Sequence, residues 1–179
     1  HDLAIIGKLD ISTFNPDAAR AVHWYSQQLN KNEIQFLSNL PQVAEKGDFT
    51  LVHGSPREPV WEYIQSVGQA EENLAYFNTR CCLIGHSHLA QYYQCDTTCS
   101  LISPAAGTAL KLIDGRYILN PGGVGQPRDG DPRAAYAIYD SQTKSIVFQR
   151  VSYDIAAVQA RMEKAGLPLR LIERLSYGQ

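Results

Sequence analysis

Along the first forty residues the apolar positions recur at helical spacing. Asn15-Pro16-Asp17 reads as a helix start, with Asn15 able to cap and Pro16 suited to the first helical position. Behind it Ala18, Ala19, Val22, Trp24, Tyr25 and Leu29 form an apolar stripe. Asn30 with Glu33 resembles a second cap, opening a short helix through Ile34, Phe36, Leu37 and Leu40 that Pro41 ends. From Gln42 the pattern becomes strand-like. Residues 42–46 and 49–53 flank Gly47-Asp48, a hairpin signal. Short helices are predicted over 60–64 and 70–77. Strands follow over 81–84, 91–94, 100–103, 109–113, 117–119, 134–139 and 145–151, with Asp114-Gly115 as a hairpin turn. Ile155, Val158 and Met162 share a helical face that Gly166 stops, and a last short helix is predicted over 169–175. Helices at both ends of a strand-rich middle predict one α/β domain over 1–179, with 152–179 a helical tail.

Composition narrows the function classes. The chain has 179 residues, 44% of them hydrophobic and 19% charged, enough for a packed core. Sixteen Lys and Arg against eighteen Asp and Glu give a net charge of −2, so no basic patch recommends nucleic acid. No apolar run approaches the ~20 residues of a membrane span, and no signal peptide is evident. Cys81 and Cys82 are adjacent in an apolar run, so on a strand they face opposite sides. Cys95 and Cys99 fit no common zinc spacing. All four are expected as free thiols in a reducing, cytoplasmic setting. The first residue is His1 rather than Met, so a processed product or an internal start is expected.

Three short apolar strands end in Gly and polar residues. Phe49-Thr50-Leu51-Val52 runs into His53-Gly54-Ser55, Cys81-Cys82-Leu83-Ile84 into Gly85-His86-Ser87-His88, and Tyr117-Ile118-Leu119 into Asn120-Pro121-Gly122-Gly123. In open α/β sheets ligands gather at the carboxyl ends of strands. If extended, His86 and His88 point the same way, about 6–7 Å apart at the strand rise. Their imidazoles then suit one metal or a pair of metals. The alternative for an isolated His-x-His is a surface pair with no role; His53 at a second strand end weighs against it. Arg57 and Arg128 lie on loops beside these motifs, as phosphate clamps or as ion-pair partners of Glu58 and Asp129. Trp61 and Tyr63 could line a substrate groove, although a short amphipathic turn is the better account of them.

Taken together, Leu51-Val52-His53-Gly54, Gly85-His86-Ser87-His88 and the run Asn120–Arg128 (Asn-Pro-Gly-Gly-Val-Gly-Gln-Pro-Arg) resemble the calcineurin-like metallophosphoesterases, in particular their small bacterial branch. His1-Asp2 is similar to the end of that family's Gly-Asn-His-Asp motif. The resemblance implies a four-layer α/β sandwich hydrolysing phosphate mono- or diesters, nucleotides among the possible substrates. It implies two divalent metals (Mn, Fe, Ni, Zn or Co), with His53 and His86 as ligands of one and His88 of the other. It further implies His1 as the acid that protonates the leaving oxygen or steadies the phosphate, oriented by Asp2, and adds weight to Arg128 at the substrate, where Asn120 and Arg57 are also candidates. The family's Asp-x-His strand end, Gly-Asp motif and motif Asn would precede His1, so the chain is expected to carry the C-terminal part of the site and to lack the N-terminal strands. The alternative expectation is a non-catalytic regulatory or binding protein that keeps the fold and a partial metal site.

Overall fold

A computed structural model describes residues 1–179, which divide into two compact units. The first comprises His1–Pro41 with Asp154–Ser176 and is helical. It contains α1 (Asp2–Ile5), α2 (Pro16–Gln28), α3 (Lys31–Ser38), α5 (Ile155–Lys164) and α6 (Leu169–Glu173). The caps form as the sequence predicts. Asn15 accepts from the Ala18 amide at 2.9 Å, and Asn30 with Glu33 closes a capping box. Asp154 caps α5 through the Ala157 amide, and the Gln159 side chain donates to the Ile172 carbonyl, tying α5 to α6. Of the segment 152–179, expected as a helical tail, Asp154–Ser176 groups with the N-terminal helices. His1 and Asp2 lie in this unit; both are exposed, and the His1 ring sits edge-on to Phe14.

The second unit comprises Gln42–Tyr153 with Tyr177–Gln179. Its strands are β1 (Val43–Lys46), β2 (Phe49–Val52), β3 (Cys81–Leu83), β4 (Ala90–Cys95), β5 (Cys99–Ile102), β6 (Ala109–Lys111), β7 (Arg116–Pro121), β8 (Ala134–Asp140) and β9 (Ser145–Val151). Six form a mixed sheet in the order β1-β2-β3-β7-β4-β5, and three form an antiparallel sheet, β6-β9-β8. Strands β2, β3 and β7 are parallel neighbours, so the three motif-bearing strand ends lie side by side.

Alternation along the central strands supplies two cores. Cys82, Tyr93 and Ile118 face α4 (Val67–Asn73) with Ile64, Ala70 and Phe77. Cys81, Tyr92, Tyr117 and Leu119 face the small sheet with Ile146 and Phe148. The adjacent cysteines therefore point to opposite sides, and burial pushes both thiols up to about 12. The result is a mixed α/β fold. No helix is long and apolar enough to cross a membrane.

Several expectations are corrected. Cys95 and Cys99 form a disulfide, because the β4–β5 register places them directly opposite each other with Cα atoms 4.0 Å apart. They are not free thiols, and cysteine usage no longer argues for a reducing compartment. Asp114-Gly115 joins strands of two different sheets and closes no hairpin; buried Leu112 turns the chain into the inter-sheet core just before it. Residues 60–64 form no helix, since the Glu58 carboxylate captures the Trp61 and Glu62 amides and holds the segment as a braced loop. The helix expected over 70–77 begins earlier, at the Ser66 cap, and ends as a single 3₁₀ turn over Leu74–Tyr76.

Candidate metal centre

At the carboxyl ends of β2 and β3 the first two histidines meet. His53 Nε2 lies 3.1 Å from His86 Nδ1, with ring centroids 4.8 Å apart. The Gly85 amide donates to the His53 carbonyl at 2.8 Å, locking one strand end to the other. His86 and His88 are not extended, as the spacing suggested. Both sit in the left-handed region (φ 58° and 59°), and the turn between them sends the two rings to different surroundings. Such strained positions persist only where neighbours over-determine them.

Asn120 is one of those neighbours. Buried at the end of β7, it donates to the Gly85 carbonyl (2.7 Å) and to Ser87 Oγ (2.9 Å), and accepts from the Gly122 amide (3.0 Å). Both of its amide donors are directed at the turn, so Asn120 braces the histidine segment. His88 is held from the following loop. Its Nδ1 lies 2.6 Å from the Gln126 carbonyl, which can only accept, so Nδ1 carries the proton and Nε2 the lone pair. The Arg128 amide donates back to the His88 carbonyl at 3.3 Å. Behind this loop the half-buried Asp129 accepts from the Ala90 amide and pairs with Arg150 through both guanidinium ends.

Electrostatics favour neutral imidazole at the centre. Burial, then the neighbouring His53 ring, lower His86 to about 4. Its Nε2 is buried and makes no hydrogen bond, and the Tyr63 ring stacks on it at 3.9 Å. Arg128 sits by the same turn; one terminal nitrogen reaches Gln126 Oε1 at 2.9 Å, while its buried Nε makes no hydrogen bond. Arg57, by contrast, is held by Glu62 and Glu72 rather than by the Glu58 that sequence adjacency suggested.

The residues fit a metal in part. Two imidazole nitrogens that share one ion at about 2.0–2.1 Å each stand roughly 3.0–3.4 Å apart, which brackets the observed 3.1 Å. A Nδ1-anchored His88 is the usual posture of a metal-ligating imidazole. Yet no three His, Cys, Asp or Glu side chains converge in a ligand group. A surface cleft of about 810 Å³ lies at the opposite, amino ends of the strands, is lined by turn residues including Asp48, Thr79 and Arg116, and contains no histidine.

Residues 2–144 match the calcineurin-like phosphoesterase superfamily domain. The chain belongs to that superfamily. A metallophosphoesterase from Sphaerobacter thermophilus superposes on this phosphoesterase with a TM-score of 0.90 at 46% identity, over 100% of this chain and 74% of that one. A curated relative, the uncharacterized protein MJ0912 of Methanocaldococcus jannaschii, is 32% identical over 191 residues, covering 100% of this chain and 73% of its own length. The hypothetical protein PH1004 from Pyrococcus horikoshii OT3 shares the fold, with a TM-score of 0.73 at 21% identity over 99% and 70% of the two chains.

Sequence reasoning missed the supports around these histidines. The Asp129–Arg150 pair spans 21 positions and carries no local signature. Glu62 is nearer to legible: with Ser55 and Arg57 it lies within eight residues, and it gathers both, together with Asn73.

Proposed function

We propose that His53 and His86 jointly hold one divalent cation and His88 part of a second, in a centre that hydrolyses phosphate mono- or diesters. The supporting observation is the 3.1 Å approach of the two imidazole nitrogens at the carboxyl edge of three parallel strands. When bound, two such cations supply a hydroxide at neutral pH and spread the charge that builds on phosphoryl oxygens. The chain's own residues do the remainder. His86, kept neutral by burial, presents a lone pair without having to lose a proton to solvent first. His88 is turned by the Gln126 carbonyl so that Nε2 is its ligating atom. Arg128 offers guanidinium donors to phosphate oxygens from the loop that also holds His88. Imidazole ligands suit Mn, Fe, Ni, Zn and Co alike.

A second reading, a metal-binding regulatory protein without turnover, is favoured by the absence of a third converging ligand. Release of p-nitrophenol from its phosphate mono- and diesters, with Mn²⁺, Ni²⁺ or Co²⁺ added after chelation, separates the two. Turnover that vanishes on chelation, returns with metal and is lost in His86→Ala supports the hydrolase. Stoichiometric metal uptake without turnover supports the second reading. Neither uptake nor turnover with any of the metals overturns both.

A further inference from the structure

The loop that follows His53 is built more rigidly than a connecting loop requires. Gly54 is enclosed, and a Cβ there would stand 2.9–3.0 Å from the carbonyls of Glu58, Pro59 and Glu62. Glu62 gathers Ser55, Arg57 and Asn73, and the Ile64 carbonyl accepts from Gln91 Nε2 and the Tyr93 hydroxyl. Along this segment Glu62 and Ile64 turn inward, so Trp61 and Tyr63 turn outward. Trp61 is 47% and Tyr63 38% exposed. Tyr63 borders the candidate centre, stacking on the His86 ring with planes 10° apart, and Trp61, two residues before it, reaches the same imidazole through its backbone.

Two large aromatic side chains held in the open by a buried polar network carry a cost that core packing does not repay. Arg128, near enough to act electrostatically on the same His86 ring, supplies the positive charge a phosphate seeks. We propose that Trp61, with Tyr63, forms a stacking platform for a flat aromatic group on the phosphoester, which makes aryl or nucleoside phosphates the favoured substrate class. The inference rests on the phosphoesterase reading and adds the leaving-group side of the substrate to it. A preformed platform suits a planar ring because neither partner loses much conformational freedom on contact.

The sequence contains two tryptophans, and Trp24 lies in the helical unit, so Trp24→Phe leaves Trp61 as the only reporter. That variant is titrated, metal-loaded, with adenosine 5′-monophosphate, phenyl phosphate, ribose 5-phosphate and inorganic phosphate. Saturable quenching by the first two and none by the last two is expected. Quenching by the nucleotide alone supports the platform and narrows the ring to a nucleobase. By calorimetry, Trp61→Ala is expected to weaken nucleotide binding about fivefold or more relative to ribose 5-phosphate, the range of one aromatic–base stack. Equal affinity for nucleotide and sugar phosphate, unchanged in Trp61→Ala, overturns the platform; if both esters are still hydrolysed, the phosphoesterase reading stands without it. Saturable ring-dependent quenching with no ester hydrolysed supports the platform and overturns the hydrolase.

Discussion

Replacing Asn120 by Asp keeps the side chain's shape and removes its donors. In the native protein Asn120 is 1% exposed, donates at 2.7 Å to the Gly85 carbonyl and at 2.9 Å to Ser87, and accepts from Gly122 at 3.0 Å. After Asn120→Asp the Gly122 contact survives, and the Ser87 hydroxyl can rotate to donate to the new carboxylate. The Gly85 carbonyl keeps the Ser87 amide at 2.6 Å but loses its second donor and faces a carboxylate oxygen instead. Losing that donor costs about 1–2 kcal/mol, and desolvating the carboxylate against a carbonyl adds to it, so a loss of about 3 kcal/mol is expected at pH 8. For a protein of this size that corresponds to a fall in Tm of roughly 6–12 °C. The sign of the pH dependence is fixed by the same geometry. Burial raises the folded-state pKa of the new carboxyl above its unfolded value, so protonation restores a donor to Gly85 and the deficit shrinks as pH falls toward 5. Urea denaturation at pH 5 and pH 8 measures both. A variant within about 0.5 kcal/mol of the parent at both values would refute the view that Asn120 braces the histidine turn.

Other outcomes follow from the same packing. Gly54→Ala drives a Cβ against three backbone carbonyls, and a loss of about 1–3 kcal/mol is expected in chemical denaturation. The Arg57 guanidinium, with Ser55 and Asn73, lowers Glu62 to about 2 from an ordinary 4.5, so its stabilisation is fully present above pH 4.5 and is lost as pH falls toward 2; Glu62→Gln should flatten that part of the acid-denaturation profile. Non-reducing mass spectrometry should show Cys81 and Cys82 alkylated after unfolding while Cys95 and Cys99 resist until reduced. Reducing that short loop is expected to cost about 2 kcal/mol by the chain-entropy relation, read as a lower urea midpoint.

What the sequence made legible was whatever local chemistry decides. Asn15 and Asn30 cap their own helices, Gly47-Asp48 turns its own hairpin, and each β-prone run became a strand. The three motif ends were visible as apolar runs stopping at glycine, and their adjacency followed once β2, β3 and β7 proved parallel neighbours. The parts that went wrong depend on long-range partners. Asp114-Gly115 looks like a hairpin turn in isolation, yet burial of Leu112 decides which sheet the chain enters next. The Cys95–Cys99 bond depends on strand register, which a gap of three residues does not reveal. His86 and His88 read as extended because the Asn120 and Gln126 contacts that hold them in a left-handed turn come more than thirty positions later.

Calorimetric titration of Mn²⁺ into the chelated protein and into His53→Ala and His86→Ala tests the shared-ion claim most directly. Both single variants should weaken the tightest binding event by at least about tenfold, the size of losing one ligand's support. The double variant should then fall little further, because either loss already breaks the pair. Binding of undiminished affinity in either single variant would contradict the account, since the 3.1 Å approach of those nitrogens would then hold nothing but a hydrogen bond.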